Sequence, residues 1–468
     1  MIRNLLLCCC FVLLLADLAK AQQGTTYVVL WFDTEDYVDP IADDAALRIA
    51  TDLTSLGVQA TFKVVGEKAR VLERRGRQDV IQALGKHCIG YHSAWHSIQP
   101  VPALNLQHMG LLEGAAEFER RQRPGFEDVE RIFGITPACY GQPGSSWVPQ
   151  SNVALRNMGV HVYLDSGIQV GYHDQPVWYG GLLYVYSMGP YQIRADVDKQ
   201  IPESETYRQF DSAVKHFRET GGGVISTYYH PTELVHTEFW DAVNFAQGAV
   251  RKREEWVMPH RRTPEDAERC FQILKRYVEH AKAMPDVKFI TANDLLRVYA
   301  NPLPPAVDKL TLARHFRQNV TFLSVNAGDL SAAEILLQLL DLPAQYVDGP
   351  LRRGATTYQD NTIPEFVFDA ALDDVKSFIQ TNHYLPSEVF VGSHTLSLGD
   401  FAATLAARLL APGTPIVVQR GNLGFEQYVS TDASAAFSWT IHPPGFAPNE
   451  LLDLARLQAW TLKPARLR

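Results

Sequence analysis

His92-Ser93-Ala94-Trp95-His96 sets two imidazoles four residues apart, next to a short apolar run. That interval lets both rings face one divalent cation from a single turn of backbone. Upstream lies a second polar cluster, Asp33-Thr34-Glu35-Asp36, directly after the apolar run Tyr27-Val-Val-Leu-Trp-Phe32. Two histidines and a carboxylate leave a coordination position open, and an open position can do chemistry. An HxxxH pair alone is weak evidence, because most such pairs are surface or satisfied core histidines. Its surroundings raise its weight.

Those side chains need a scaffold. From Thr26 to about Ala300, short apolar runs alternate with helical patterns. The expected strands are 27–32, 60–65, 88–91, 138–140, 161–164, 183–186, 223–228 and 288–290. Amphipathic helices fit between them, at 43–56, 107–121, 153–158, 206–220 and 264–283. Repeated strand and helix imply an α/β fold with a parallel sheet covered by helices, and seven or eight such units suggest a barrel. In a barrel, reactive residues gather at the C-terminal ends of the strands. Asp33, His92, Asp165 and His230 each follow an expected strand directly.

The chain has 468 residues, 46% hydrophobic and 20% charged, with a formal charge of −9. The length allows two or three domains, and the acidic balance argues against a general nucleic-acid binder. The N-terminus reads as an export signal. Arg3 is its basic start, Leu5 to Leu15 its apolar core and Ala19-Lys20-Ala21 its small-residue cleavage site. Residues 1–21 are expected to be removed, giving a secreted or periplasmic protein; an uncleaved anchor is the competing reading. No later segment is long and apolar enough to span a bilayer. Cys88, Cys139 and Cys270 remain after the leader, too few for a disulfide framework. One bridge could form, and the sequence cannot pair it.

Asn301-Pro-Leu-Pro-Pro305 breaks the pattern, so 301–307 is read as a linker and 308–468 as a smaller C-terminal α/β or mainly α domain. Within it, the stretches beginning at Val320 and Val389 each read as a short strand, a turn and a helix. Ser331 with Glu334, and Ser397 with Asp400, have the spacing of a helix cap, which suggests a small internal duplication.

Residues 26–300 resemble the polysaccharide deacetylases of carbohydrate esterase family four. The likeness is carried by Gly57-Val-Gln-Ala-Thr-Phe62 with Val64-Val-Gly66, by His87-Cys-Ile-Gly-Tyr-His92-Ser-Ala-Trp-His96, by Tyr228-Tyr-His230-Pro231 and by Val287-Lys-Phe-Ile-Thr-Ala-Asn-Asp294. The motifs are short; their order and spacing make the case. The resemblance implies a deformed (β/α) barrel and metal-assisted hydrolysis of an amide or ester. It implies His92 and His96 as metal ligands, with zinc the default ion for imidazole and carboxylate donors. Asp33 would be the general base, His230 the general acid, and Asp165 the carboxylate that orients His230, with Glu233 an alternative partner. Thr34 stands where many members carry a second aspartate, so Glu35 is expected as third ligand and Asp36 is held in reserve. On an extended strand end Asp33 and Glu35 share a face and Asp36 points away.

One departure matters. The family's third motif carries an arginine that holds the base; here Gly141 occupies that place, in Tyr140-Gly-Gln-Pro-Gly144. Gln142, or a backbone amide near Pro143 and Gly144, would supply an oxyanion contact. Trp95, Trp147, Tyr229 and Trp178 are the aromatics expected to stack on sugar. In the C-terminal region, residues 375–392 through 396–405 resemble a pseudomurein-binding repeat, which implies contact with a cell-wall polymer.

The favoured expectation is a metal-dependent hydrolase removing N-acetyl groups from amino sugars of a polysaccharide or peptidoglycan. Two others stand beside it: the same fold acting on another C–N bond or an O-acetyl ester, and a degenerate barrel that only binds carbohydrate. Retention of both Asp33 and His230 argues against the last, since binding alone needs neither.

Overall fold

The computed structural model describes residues 24–198, 200–301 and 303–468. The expected signal peptide lies outside the described residues.

The strand β1 (Thr26–Thr34) is the middle of the sheet. It pairs in parallel with β2 (Thr61–Val64) over Trp31–Thr34, and β2 pairs in parallel with β3 (Cys88–Tyr91). The single residue Tyr140 then bridges Tyr91 and Tyr163, carrying the sheet to β4 (Val162–Leu164). Next come β5 (Val177–Tyr179) and β6 (Leu182–Val185); β6 runs parallel to β4, and β5 antiparallel to β6. On the other side, β7 (Gly223–Tyr229) pairs in parallel with Thr26–Phe32 of β1; β8 (Val287–Ile290) pairs in parallel with Thr26–Val29 on the same edge as β2. Gln192 bridges Ser226 and joins the two sides. The result is an α/β barrel, deformed where single bridging residues replace strands.

The apolar runs form strands because they alternate between two packed surfaces. Val28, Leu30 and Phe32 face the surrounding helices. Val29 and Trp31 face inward, with Val162, Leu164, Val185 and Val224. Inward-facing odd positions on β1 carry the chain to Asp33 and Glu35 at its open end. Helices at Ile41–Ser55, Leu111–Phe133, Glu203–Thr220 and Pro264–Lys282 cover the outside. The expected strand 138–140 shrinks to the bridge at Tyr140. The expected helix 107–121 instead starts at Leu111 and runs on to Phe133, ending at left-handed Gly134. The three-residue strand β5 follows the left-handed residues His173 and Asp174, and its period was too short to read.

Residues 301 and 303–307 form no helix or strand. Beyond them, two segments repeat one order of elements. Helix Lys309–Gln318, hairpin Leu323–Leu330 and helix Ala332–Leu339 make the first; helix Glu365–Asn382, hairpin Glu388–Ser397 and helix Leu398–Leu410 make the second. Ser331 and Ser397 cap their helices by accepting hydrogen bonds from the amides of Glu334 and Asp400. The rest of the chain returns to the barrel. Lys463–Pro464 adds an antiparallel strand to β5, and Ala455 accepts a hydrogen bond from the Tyr179 hydroxyl at 3.0 Å. The C-terminal region is therefore not a bead on a linker; its tail belongs to the barrel sheet.

Cys88, Cys139 and Cys270 are buried free thiols. Among the described residues no helix is long and apolar enough to cross a membrane.

Candidate active site

Four chain segments converge at the open end of β1. Asp33 is its penultimate residue, and Glu35 lies just beyond it on the same face. His92 follows β3 directly. Ser93 and His96 then take left-handed φ values of 67° and 57°, a conformation that costs a non-glycine residue about 1–2 kcal/mol and is retained mostly at functional turns. The turn folds His96 back beside His92, with ring centroids 5.0 Å apart.

Glu35 Oε2 lies 3.3 Å from His92 Nε2 and 2.8 Å from His96 Nε2. All three residues are buried. Each ring is oriented from its other nitrogen. His92 Nδ1 donates to the Gly141 carbonyl at 3.0 Å. His96 Nδ1 lies 2.6 Å from the Ser97 hydroxyl, which in turn donates to Asp241 at 3.3 Å. A neutral imidazole that donates from Nδ1 presents a lone pair at Nε2. Both lone pairs therefore face one carboxylate oxygen, and His96 Nε2 makes no hydrogen bond despite its short approach. Lone pairs turned on a carboxylate in a buried cluster are the donor set of a cation. These residues fit a divalent metal ion.

Asp36 points the other way, as the strand alternation requires. Its carboxylate caps the following turn, accepting from the amides of Val38 and Asp39, and from Thr232 at 3.0 Å. It takes no part in the cluster.

Asp33, Asp165 and His92 form a second acidic group, but its cation is already in place. Lys63 stands opposite Asp33 in the parallel pairing of β1 with β2. Its ammonium lies 2.9 Å from Asp33 Oδ1 and 2.7 Å from Asp165 Oδ2, fully buried, 4.1 Å from the centre of the Trp31 ring. Burial opposes its charge, yet Asp165 and Asp33 keep its pKa above the ordinary lysine value. A Cβ at Gly141 would come within 2.1 Å of that ammonium and 2.2 Å of Asp165. The absent arginine thus has a physical reason: Lys63 fills the space a side chain at 141 would need.

His230 follows β7. Its Nε2 lies 3.7 Å from Asp33 Oδ2, and Phe239 packs edge-on at 4.8 Å. The expected Asp165–His230 pairing is corrected. Asp165 is held by Lys63 and the Ser166 amide, and the carboxylate nearest His230 Nδ1 is Glu233 at 4.0 Å. Glu233 is itself fixed by Arg194 at 2.7 Å and accepts from the His230 amide.

These residues line a pocket of about 320 Å³, together with Gln142, Trp31, Tyr228, Phe239 and Trp439. Gln142 faces it, but its amide nitrogen is engaged by the carbonyls of Gly144 and Ser166. The expected stacking aromatics are elsewhere. Trp147 is fully buried, its indole nitrogen donating to Tyr184. Tyr229 is fully buried, its hydroxyl bound to the backbone of Ala195. Trp178 is in the barrel floor. Trp95 is exposed outside the pocket, under the Arg70 guanidinium. Trp147 and Tyr229 pack in the core between the sheet and the helices. The aromatics that do face the site went unread. Trp31 and Tyr228 stand two residues before Asp33 and His230, so strand period alone places them on the same face.

No protein-family model matches the chain, and no curated protein matches it. Parts of it are similar to solved structures. One is described as a polysaccharide deacetylase from Mycobacterium smegmatis, with 15% identity, covering 60% of this chain and 91% of that one, at a TM-score of 0.39. An allantoinase has 12% identity over 60% of this chain and 94% of its own, at 0.38. A family 4 acetyl xylan esterase from Clostridium thermocellum, in complex with a cobalt ion, has 15% identity over 58% of this chain and 90% of its own, at 0.28.

Proposed function

We propose that this protein is an exported, metal-dependent hydrolase that removes N-acetyl groups from amino sugars. The observation that carries the reading is the convergence of Glu35, His92 and His96 beside Asp33, with two imidazole lone pairs aimed at one carboxylate oxygen. Glu35, His92 and His96 would hold the ion, and nitrogen and oxygen donors in that ratio suit zinc. Bound there, it would supply Lewis-acid polarisation of the acetyl carbonyl.

The chain's own groups supply the proton transfers. Asp33 takes a proton from the attacking water as its oxygen bonds to the acetyl carbon. His230, across the pocket, gives a proton to the nitrogen as the C–N bond breaks, leaving acetate and a free amine. Lys63 keeps Asp33 ionised and fixed. Glu233 lies 4.0 Å from His230 Nδ1 and so stands beside the ring's other nitrogen. Export rests on the leader sequence.

Acetate release from chitooligosaccharides by zinc-loaded protein tests the reading, with acetylated xylan as the competing substrate. Protein that retains no divalent metal under any loading condition overturns it. Acetate from xylan alone would move the reading to an O-acetyl ester.

A further inference from the structure

The pocket is not completed by the barrel. Its missing side comes from residues 437–446, almost two hundred positions beyond Asp241. The Trp439 indole nitrogen donates to Asp241 at 2.7 Å, and the Trp439 amide donates to Ser145 at 2.9 Å. Its ring packs edge-on against Phe239 at 5.8 Å. On the other flank it presses on Gly144, which has a φ of 52°; a Cβ there would come within 2.3 Å of the ring. Trp439 thus joins the loop after Tyr140 to the start of the helix Trp240–Phe245, which carries Asp241 directly after Phe239.

The segment is held directly after Trp439. Gln99 donates to the Ile441 carbonyl at 2.7 Å, and the Gln247 amide donates to the Thr440 carbonyl at 2.7 Å. Ile441 is fully buried in a cluster with Tyr37, Val65, Trp240 and Phe245. Trp439 itself is only half-buried and lines the cavity above the histidines, with Ser438 beside it.

A wall anchored in this way closes one side of what would otherwise be an open cleft. The remaining volume, about 320 Å³, is at the small end of the ~300–1,000 Å³ range of small-molecule pockets. Trp439 takes up one side by which a polymer would otherwise cross the site. We propose that Trp439 is a specificity-determining residue that restricts the site to one N-acylated sugar residue, free or at a chain end, packed against the indole. This deepens the deacetylase reading and rests on it.

The experiment uses the full zinc-loaded chain, with chitobiose and chitohexaose in their fully N-acetylated forms. Products are mapped by mass spectrometry. Binding of the same sugars is measured by calorimetry on Asp33→Asn protein. Wild type is expected to remove acetyl groups at the chain end and to bind the two sugars with similar affinity. Trp439→Ala is expected to raise KM for chitobiose about tenfold, because loss of one aromatic face costs binding. It should also begin to deacetylate interior residues of chitohexaose. Trp439→Phe, which keeps a ring, should keep the chain-end pattern, so a fold defect in the alanine variant cannot mimic the result. Interior deacetylation by wild type, or an unchanged KM and pattern in Trp439→Ala, overturns the inference and leaves the deacetylase reading standing. Equal binding of both sugars, weakened by Trp439→Ala but with no hydrolysis by wild type, overturns the reading and leaves the inference standing. If neither sugar binds, both fall.

Discussion

The ammonium of Lys63 stands 2.9 Å from Asp33 Oδ1, sealed from solvent, with Asp165 on its far side at 2.7 Å. Removing one member of such a group leaves buried charge without compensation, at a cost of about 3–5 kcal/mol. Lys63→Met should lose stability on that scale in denaturant melts and lose activity with it. Gly141→Ala should also be damaging, because its Cβ lands on the Lys63 ammonium and the Asp165 carboxylate. The pair Lys63→Met with Gly141→Arg should recover much of what Lys63→Met alone loses, since the guanidinium would enter the vacated space. Simple additivity of the two substitutions would show that Lys63 is not the cation that takes the arginine's place.

Glu35 and Asp36 are neighbours with opposite tasks, and substitution should separate them. Glu35→Gln is expected to abolish stoichiometric zinc binding, measured by metal analysis after dialysis. Asp36→Asn should keep the metal and instead lower the melting temperature, because it disturbs the turn held by Val38, Asp39 and Thr232. Metal loss in Asp36→Asn with retention in Glu35→Gln would reverse the assignment.

What the sequence made legible follows from distance along the chain. The period of β1 placed Asp33 and Glu35 on one face and turned Asp36 away, because alternation is local. The same alternation could have placed Trp31 on β1 and Tyr228 on β7. Lys63 left a fainter sign, a lone lysine in an otherwise uncharged strand; its meaning needed the register that sets it opposite Asp33. The Asp165–His230 pairing was misread because both follow strands, and being at the same end of a barrel does not set who faces whom. Trp439 left no sign at all. Its partners Ser145 and Asp241 are hundreds of residues away, and only tertiary packing brings them together.

Asp39 should shape the acid limb of stability. Burial would raise its carboxyl, but Arg261, which grips both oxygens, and His236 at 3.1 Å bring its pKa down to about 2. A folded pKa below the unfolded value gives stability that is present above about pH 4 and lost as pH falls toward 2. With Arg261 half exposed, the contribution is roughly 1–2 kcal/mol. Arg261→Met should remove that amount at pH 7 and flatten the loss between pH 4 and 2. An unchanged acid limb would exclude Asp39 as its source.

His442 should make the wall that carries Trp439 sensitive to a milder acid range. Its Nδ1 donates to the Phe437 carbonyl at 2.9 Å, its ring stacks on Phe446 at 4.7 Å, and its Nε2 is buried without a partner. Burial lowers its pKa to about 4. The folded chain therefore refuses a proton that the unfolded chain accepts below about pH 6.5. Stability is intact above that value and falls by up to roughly 3 kcal/mol as pH drops from 6.5 to 4. His442→Phe removes the titrating group while filling the space. Melts of the two proteins should diverge as pH falls through this window, the variant losing less. Hydrogen exchange should show the added loss in residues 437–446, ahead of the barrel strands. Parallel melting curves across the window would assign the pH dependence to another group.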